Sequence, residues 1–191
     1  MPELPFEIWK ERIDNEIKIL KHMNVIEENS AMWQENNVEL WLNLNALGFI
    51  VADKKEKINV KPKLKHRIFI KINRSFPYPG GIDFSWYSNI FHPNIHPVEL
   101  GGINRPGTGY ICLNVLRQWS RLSDLETTVK SLQKLVENPN PDDPLQYDIC
   151  IEAAEFFKNN SIEKLKKIFK KDEKEKDKNT DEDNEIIIIG K

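Results

Sequence analysis

In Val38-Glu39-Leu40-Trp41-Leu42-Asn43-Leu44 the aliphatic residues fall at every second position, alternating with Glu39, Trp41 and Asn43, and in Arg67-Ile68-Phe69-Ile70-Lys71-Ile72 three isoleucines alternate with Arg67, Phe69 and Lys71. Period two puts Val38, Leu40, Leu42 and Leu44 on one side of a strand, with Ile68, Ile70 and Ile72 on one side of another. Phe49 to Val51 and Ile82-Asp83-Phe84-Ser85-Trp86 supply two further strand candidates. Between them lie the lysine-bearing stretch Ala52 to Lys65 and Phe76-Pro77-Tyr78-Pro79-Gly80-Gly81, both read as turn-rich. Four strands in sequence order with short connections predict an antiparallel meander, one face of which must be covered by helices.

Those helices are legible on both flanks. After Pro5, apolar residues recur at Phe6, Trp9, Ile13, Ile17 and Leu20, with charged residues on the opposite side. Downstream, Leu125, Val129, Leu132 and Val136 mark a second helix, stopped by Asn138-Pro139-Asn140-Pro141. A third runs from about Ile149 through Ala153, Ala154 and Phe157, and a fourth from Ile162 through Leu165 to Phe169. The fold class is therefore α+β. From Lys170 to Glu185 nearly every side chain is polar or charged, so a core is expected over residues 1–169 and a solvated tail over 170–191.

Composition narrows function by exclusion. With 191 residues, 39% apolar, 30% charged and a net charge of -2, the chain reads as one soluble domain with no electrostatic case for nucleic acid. Its longest purely apolar runs, Ile186 to Ile189 among them, are far too short to span a bilayer, and the acidic start lacks the pattern of a signal peptide. A cytoplasmic location is the expectation, extending to the nucleus in a eukaryote. Two cysteines, Cys112 and Cys150, make no disulfide framework.

From Phe91 to Cys112, Pro93, Pro97, Gly101, Gly102, Pro106, Gly107 and Gly109 interrupt any periodicity. A long irregular loop in a compact domain points to function. It is bounded by Ile90-Phe91-His92-Pro93-Asn94-Ile95 and by Ile111-Cys112-Leu113-Asn114-Val115-Leu116-Arg117-Gln118-Trp119-Ser120. Asn138-Pro139-Asn140-Pro141-Asp142-Asp143-Pro144-Leu145 follows.

These three stretches, in this order, resemble the signatures of ubiquitin-conjugating enzymes. The resemblance implies a helix, a four-stranded meander, an active-site loop and C-terminal helices, which the periodicities give independently. It implies that Cys112 accepts ubiquitin or a ubiquitin-like protein as a thioester and passes it to a lysine amine. The partners implied are that modifier, an activating enzyme and a ligase, with the chain acting as a monomer. No cofactor is implied, since ATP is consumed by the activating enzyme. A catalytically silent ubiquitin-binding module of the same fold is the alternative reading; it would be expected to lack the nucleophile.

The chemistry suits cysteine. A thiol with an unperturbed pKa of about 8.5 is a few per cent thiolate at neutral pH, enough for thioester exchange. By position, Asn94 would steady the developing oxyanion, a role worth about 3 kcal/mol elsewhere, or would hold the loop through backbone hydrogen bonds. Asp143, with Asp142 and Asn140 nearby, would orient the incoming amine, or the run would merely stop helices. His92 and Pro93 would shape the loop rather than act as a protease-type base. A metal site from His92, His96, Cys112 and Cys150 fits no zinc spacing, so none is expected. Cys150 reads as a small buried hydrophobe. Tyr78 and Ser120, Arg121 and Leu122 match loops that family members present to ligases.

The chain departs from the family pattern between Asn94 and Cys112, where an insertion around residues 96–109 is read as a solvated ornament unless it gates the thioester or binds a dedicated partner. Arg121 and Leu122 also replace the usual proline and alanine after Ser120. The lysines of the tail and of Asp53 to Lys65 are candidate automodification sites.

Overall fold

A computed structural model describes residues 3–26, 30–53, 58–101, 106–114, 122–167 and 169. Helix α1 spans Phe6–His22, with Glu7 in its first turn and Lys21 and His22 in its last, both signs matched to the helix dipole. It buries Trp9, Ile13, Ile17 and Leu20 as its spacing requires. Asn24, with φ at 55°, ends the run.

The sheet is antiparallel, in the order β1 (Met32–Trp33), β2 (Asn37–Asp53), β3 (Asn59–Asn73), β4 (Ile82–Trp86). Four strands in a meander are as expected, but their identities differ from the sequence reading. Val38–Leu44 and Phe49–Val51 belong to one long strand, β2, broken in register between Asn45 and Gly48. The short β1, pairing Met32 with Glu39, takes the fourth place. The described part of the stretch Ala52 to Lys65, expected as turn, is largely strand: Asn45 pairs with Lys65 and Ile50 with Lys61.

Val38, Leu40, Leu42, Leu44, Ile68, Ile70, Ile72 and Trp86 lie on the inner face, all buried. Helix α2 (Leu125–Glu137) covers them with Leu125, Val129, Leu132 and Val136. Each such side chain withdrawn from water contributes about 1.5–3 kcal/mol, so this interface is the main cohesive element. Asp124 caps the helix, accepting from the Thr127 amide at 2.7 Å. The buried carboxylate of Glu16 on α1 accepts from the Leu125 amide at 2.8 Å. Burial raises the Glu16 pKa despite that bond and Arg12 beside it.

On the outer face Trp41 packs against Phe69 and Tyr87, with ring centroids 5.1 and 4.6 Å apart, and the Arg67 guanidinium lies 4.0 Å from the Trp41 ring centre. A second apolar cluster forms beyond the bulge. There Phe49 and Phe91 meet Ala153 and Phe157 of helix α3 (Asp148–Asn159), together with Phe169. Residues 162–167 are helical, in the place expected. The tail from Lys170, the expected ligase-loop residues Ser120 and Arg121, and Trp119 lie outside the described residues.

Candidate active site

The local chain path is set by His92-Pro93-Asn94. Proline fixes φ at position 93, and the His92 ring turns back so that Nδ1 accepts from the Asn94 amide at 3.0 Å. Its Nε2 then carries the hydrogen and donates to the Leu135 carbonyl at 2.9 Å. Burial holds the His92 pKa down to about 3, so the ring is neutral and both nitrogens are occupied. Both ring nitrogens thus meet backbone groups, leaving neither free for proton transfer.

Asn94 is wholly buried. Its Nδ2 donates to the carbonyls of Asn140 at 3.0 Å and Asp143 at 2.8 Å, while Oδ1 accepts from the Asn140 amide at 2.8 Å. Its backbone carbonyl accepts from the Cys112 amide at 2.9 Å. Of the two roles open for Asn94, the geometry displays the bracing one: both amide hydrogens are already engaged. An oxyanion would have to displace one of these bonds.

Cys112 follows a pair of two-residue antiparallel strands, β5 (Ile95–His96) and β6 (Tyr110–Ile111), joined by the insertion. It is half-buried, resting against the main core without being sealed in it. Cys150 differs: it is fully buried, near the Ile95 carbonyl, and burial pushes its pKa up to about 12. Asp142 and Asp143 are exposed and Asn140 is half-buried. Asn140 Oδ1 accepts from the Asp142 amide at 3.1 Å, and Lys158 stands 3.7 Å from the Asp142 carboxylate. Leu145 is pinned to the Pro93 carbonyl at 2.9 Å. The described parts of the three sequence stretches are thus one hydrogen-bonded unit.

Two expectations are corrected. Leu122 does not present itself to a partner: it is 7% exposed, belongs to the main core, and adopts φ of 57°. A leucine there is retained by packing. The insertion, in its described part, is no solvated ornament. Val98 donates to the Trp86 carbonyl, Glu99 to Tyr87, Trp86 to Gly109 and Gly107 to Val98, so both legs are stitched to the end of β4 and to each other. Gly107 is required by space, since a Cβ there would sit 1.9 Å from the Pro97 carbonyl oxygen. Tyr78, by contrast, is 43% exposed on the turn after β3.

Among the described residues no group of three His, Cys, Asp or Glu side chains is arranged to hold a metal ion. No described helix is long and apolar enough to cross a membrane.

A helix, a four-stranded meander and C-terminal helices, with a surface cysteine tied through one asparagine to an acidic loop, constitute the α+β fold of the ubiquitin-conjugating class. A family model described as ubiquitin-conjugating enzyme matches residues 19–172. The chain is 30% identical over 104 residues to "Ubiquitin-conjugating enzyme E2 2" of Aspergillus fumigatus, covering 53% of this chain and 58% of that protein. It is 37% identical over 82 residues to "Ubiquitin-conjugating enzyme E2 3" of Arabidopsis thaliana, covering 42% and 45%. It is 38% identical over 80 residues to "Ubiquitin-conjugating enzyme E2 N" of Drosophila melanogaster, covering 41% and 44%. The chain thus spans about half the length of these curated relatives. It belongs to the ubiquitin-conjugating enzyme family.

Proposed function

We propose that this chain carries ubiquitin or a ubiquitin-like protein as a thioester on Cys112 and delivers it to a lysine amine. The Cys112 thiolate attacks the modifier's thioester on an activating enzyme; one carbon–sulfur bond forms and another breaks. A lysine amine then attacks the new thioester. A carbon–nitrogen bond forms, nitrogen loses a proton and the Cys112 thiol is regenerated.

One observation carries this reading: Asn94 bonds to the Cys112 backbone on one side and to Asn140 and Asp143 on the other, coupling the thiol's strand to the carboxylates. The attacking amine, with a pKa near 10.4 as free lysine, needs such a neighbour to orient and deprotonate it, and Asp143 is the residue we assign. A cysteine hydrolase is disfavoured by the engaged, neutral His92. Tyr78 is assigned to ligase contact, alone among the four partner-loop residues in being described and exposed. The residues after Phe169 are assigned to a tail outside the catalytic core.

The test is incubation with ATP, an activating enzyme and candidate modifiers, followed by non-reducing gels. A reductant-sensitive adduct in wild type and none in Cys112→Ala supports the carrier. Binding of modifier without an adduct, unchanged in Cys112→Ala, establishes the silent binding module instead.

A further inference from the structure

The His96 ring lies flat on the Tyr147 ring, with centroids 4.0 Å apart and planes 8° from parallel. These residues belong to two different segments of the active-site unit. His96 is the end of β5 and pairs with Tyr110, two residues before Cys112. Tyr147 is the N-cap residue of α3, three residues after Pro144 and the Asp142-Asp143 pair. Only 8% of His96 is exposed.

The insertion completes the contact. Thr108, on its returning leg, donates its amide to His96 Nδ1 at 3.2 Å and places Oγ1 2.8 Å from the same nitrogen. That oxygen also accepts from the Tyr110 amide at 3.2 Å. Thr108 therefore joins the ring stacked on Tyr147 to the strand that delivers Cys112. Cys150, in the first turn of α3, adds a contact from Sγ to the Ile95 carbonyl at 3.4 Å.

We infer that His96, Thr108 and Tyr147 form a positioning clamp, built by the insertion, that sets Cys112 against the Asp143 loop for transfer to the amine. The inference rests on the carrier reading above. Asn94 fixes the two segments from within the protein; the stacked rings fix them a second time from the hairpin side. Loading requires only an accessible thiol. Discharge requires the thioester and the amine-orienting carboxylate in register, where a displacement on the order of 1 Å is costly.

The test uses the full chain and three variants, Tyr147→Phe, Tyr147→Leu and Tyr147→Ala, with loading and single-turnover discharge to free lysine measured separately. Tyr147→Phe, which keeps the ring, is expected to match wild type. Tyr147→Leu and Tyr147→Ala are expected to load within about twofold and to discharge about tenfold more slowly, in the rate at saturating lysine rather than in its KM. Equal losses in both steps, or wild-type discharge in Tyr147→Leu, would overturn the clamp. Amide chemical shifts need no modifier: those of Tyr110 to Asn114 and of Asp142 and Asp143 should move in Tyr147→Leu and stay in Tyr147→Phe. If wild type fails to load, the carrier reading falls, and unmoved shifts would remove the clamp independently.

Discussion

The side-chain amide of Asn94 donates to the backbone carbonyl of Asp143 across 2.8 Å. The two residues lie 49 positions apart in sequence, and the bond fixes where the Asp143 carboxylate leaves the loop. Whether Asn94 acts mainly as a brace or as an oxyanion donor is separable by measurement. As a brace that makes three hydrogen bonds from a fully buried site, Asn94→Ala should lower unfolding free energy by about 3 kcal/mol, at about 1 kcal/mol per bond. A variant that discharges poorly but denatures at the wild-type urea concentration would return the oxyanion role to first place.

Asp143→Ala tests the carboxylate. Its side chain is exposed and its structural bond is made through the backbone, so stability should be nearly unchanged. Transfer to free lysine should slow by about 10²–10⁴-fold, the usual worth of a positioned acid–base group, while Cys112 loading stays near wild type. Parallel loss in both assays would exclude an amine-directed role.

The buried imidazoles make the fold acid-sensitive. Burial lowers the pKa of His92 to about 3 and that of His66 to about 4, from 6.5 for an unhindered ring. Below pH 6.5 the unfolded chain takes up protons that the folded chain refuses, so stability falls as pH falls towards 4. Each group contributes a slope of at most about 1.4 kcal/mol per pH unit. Urea midpoints at pH 7, 6 and 5 should decline. His92→Gln, able to donate to Leu135 and accept from Asn94, should decline less steeply; an identical slope would show that His92 is not the titrating group.

Leu122→Ala probes the corrected assignment. Removing a buried core leucine should cost about 2–5 kcal/mol. A variant of unaltered thermal stability that fails only in ligase-dependent transfer would restore Leu122 to the contact surface.

The sequence announced the fold where burial imposes a period and misled where local chemistry imitates something else. Every second residue from Val38 to Leu44 and from Ile68 to Ile72 is buried in the main core, so the aliphatic period of two is legible. The register break between Asn45 and Gly48 shifts the phase of β2, which made one strand look like two. Lys61, Lys63 and Lys65 resemble a turn by composition, yet they alternate towards the outer face. Pro62 is tolerated because β4 pairs with β3 only from Ile68 onward, leaving that end of β3 an edge. Met32–Trp33 is too short to show any period. At the candidate site, Cys112, Asn94 and Asp143 stood out through their motifs. His96 and Tyr147 did not, because stacking between residues so far apart leaves no spacing to read.

Cys150, wrapped in α3 and the floor of the β5 hairpin, gives the molecule a practical asymmetry. A mild alkylating or maleimide reagent applied to the native protein should modify Cys112 alone. Fluorophores, spin labels or a nonhydrolysable modifier conjugate can then be installed at the candidate nucleophile of the natural chain without deleting its other cysteine. Appearance of a second label would report, in real time, the opening of the interior.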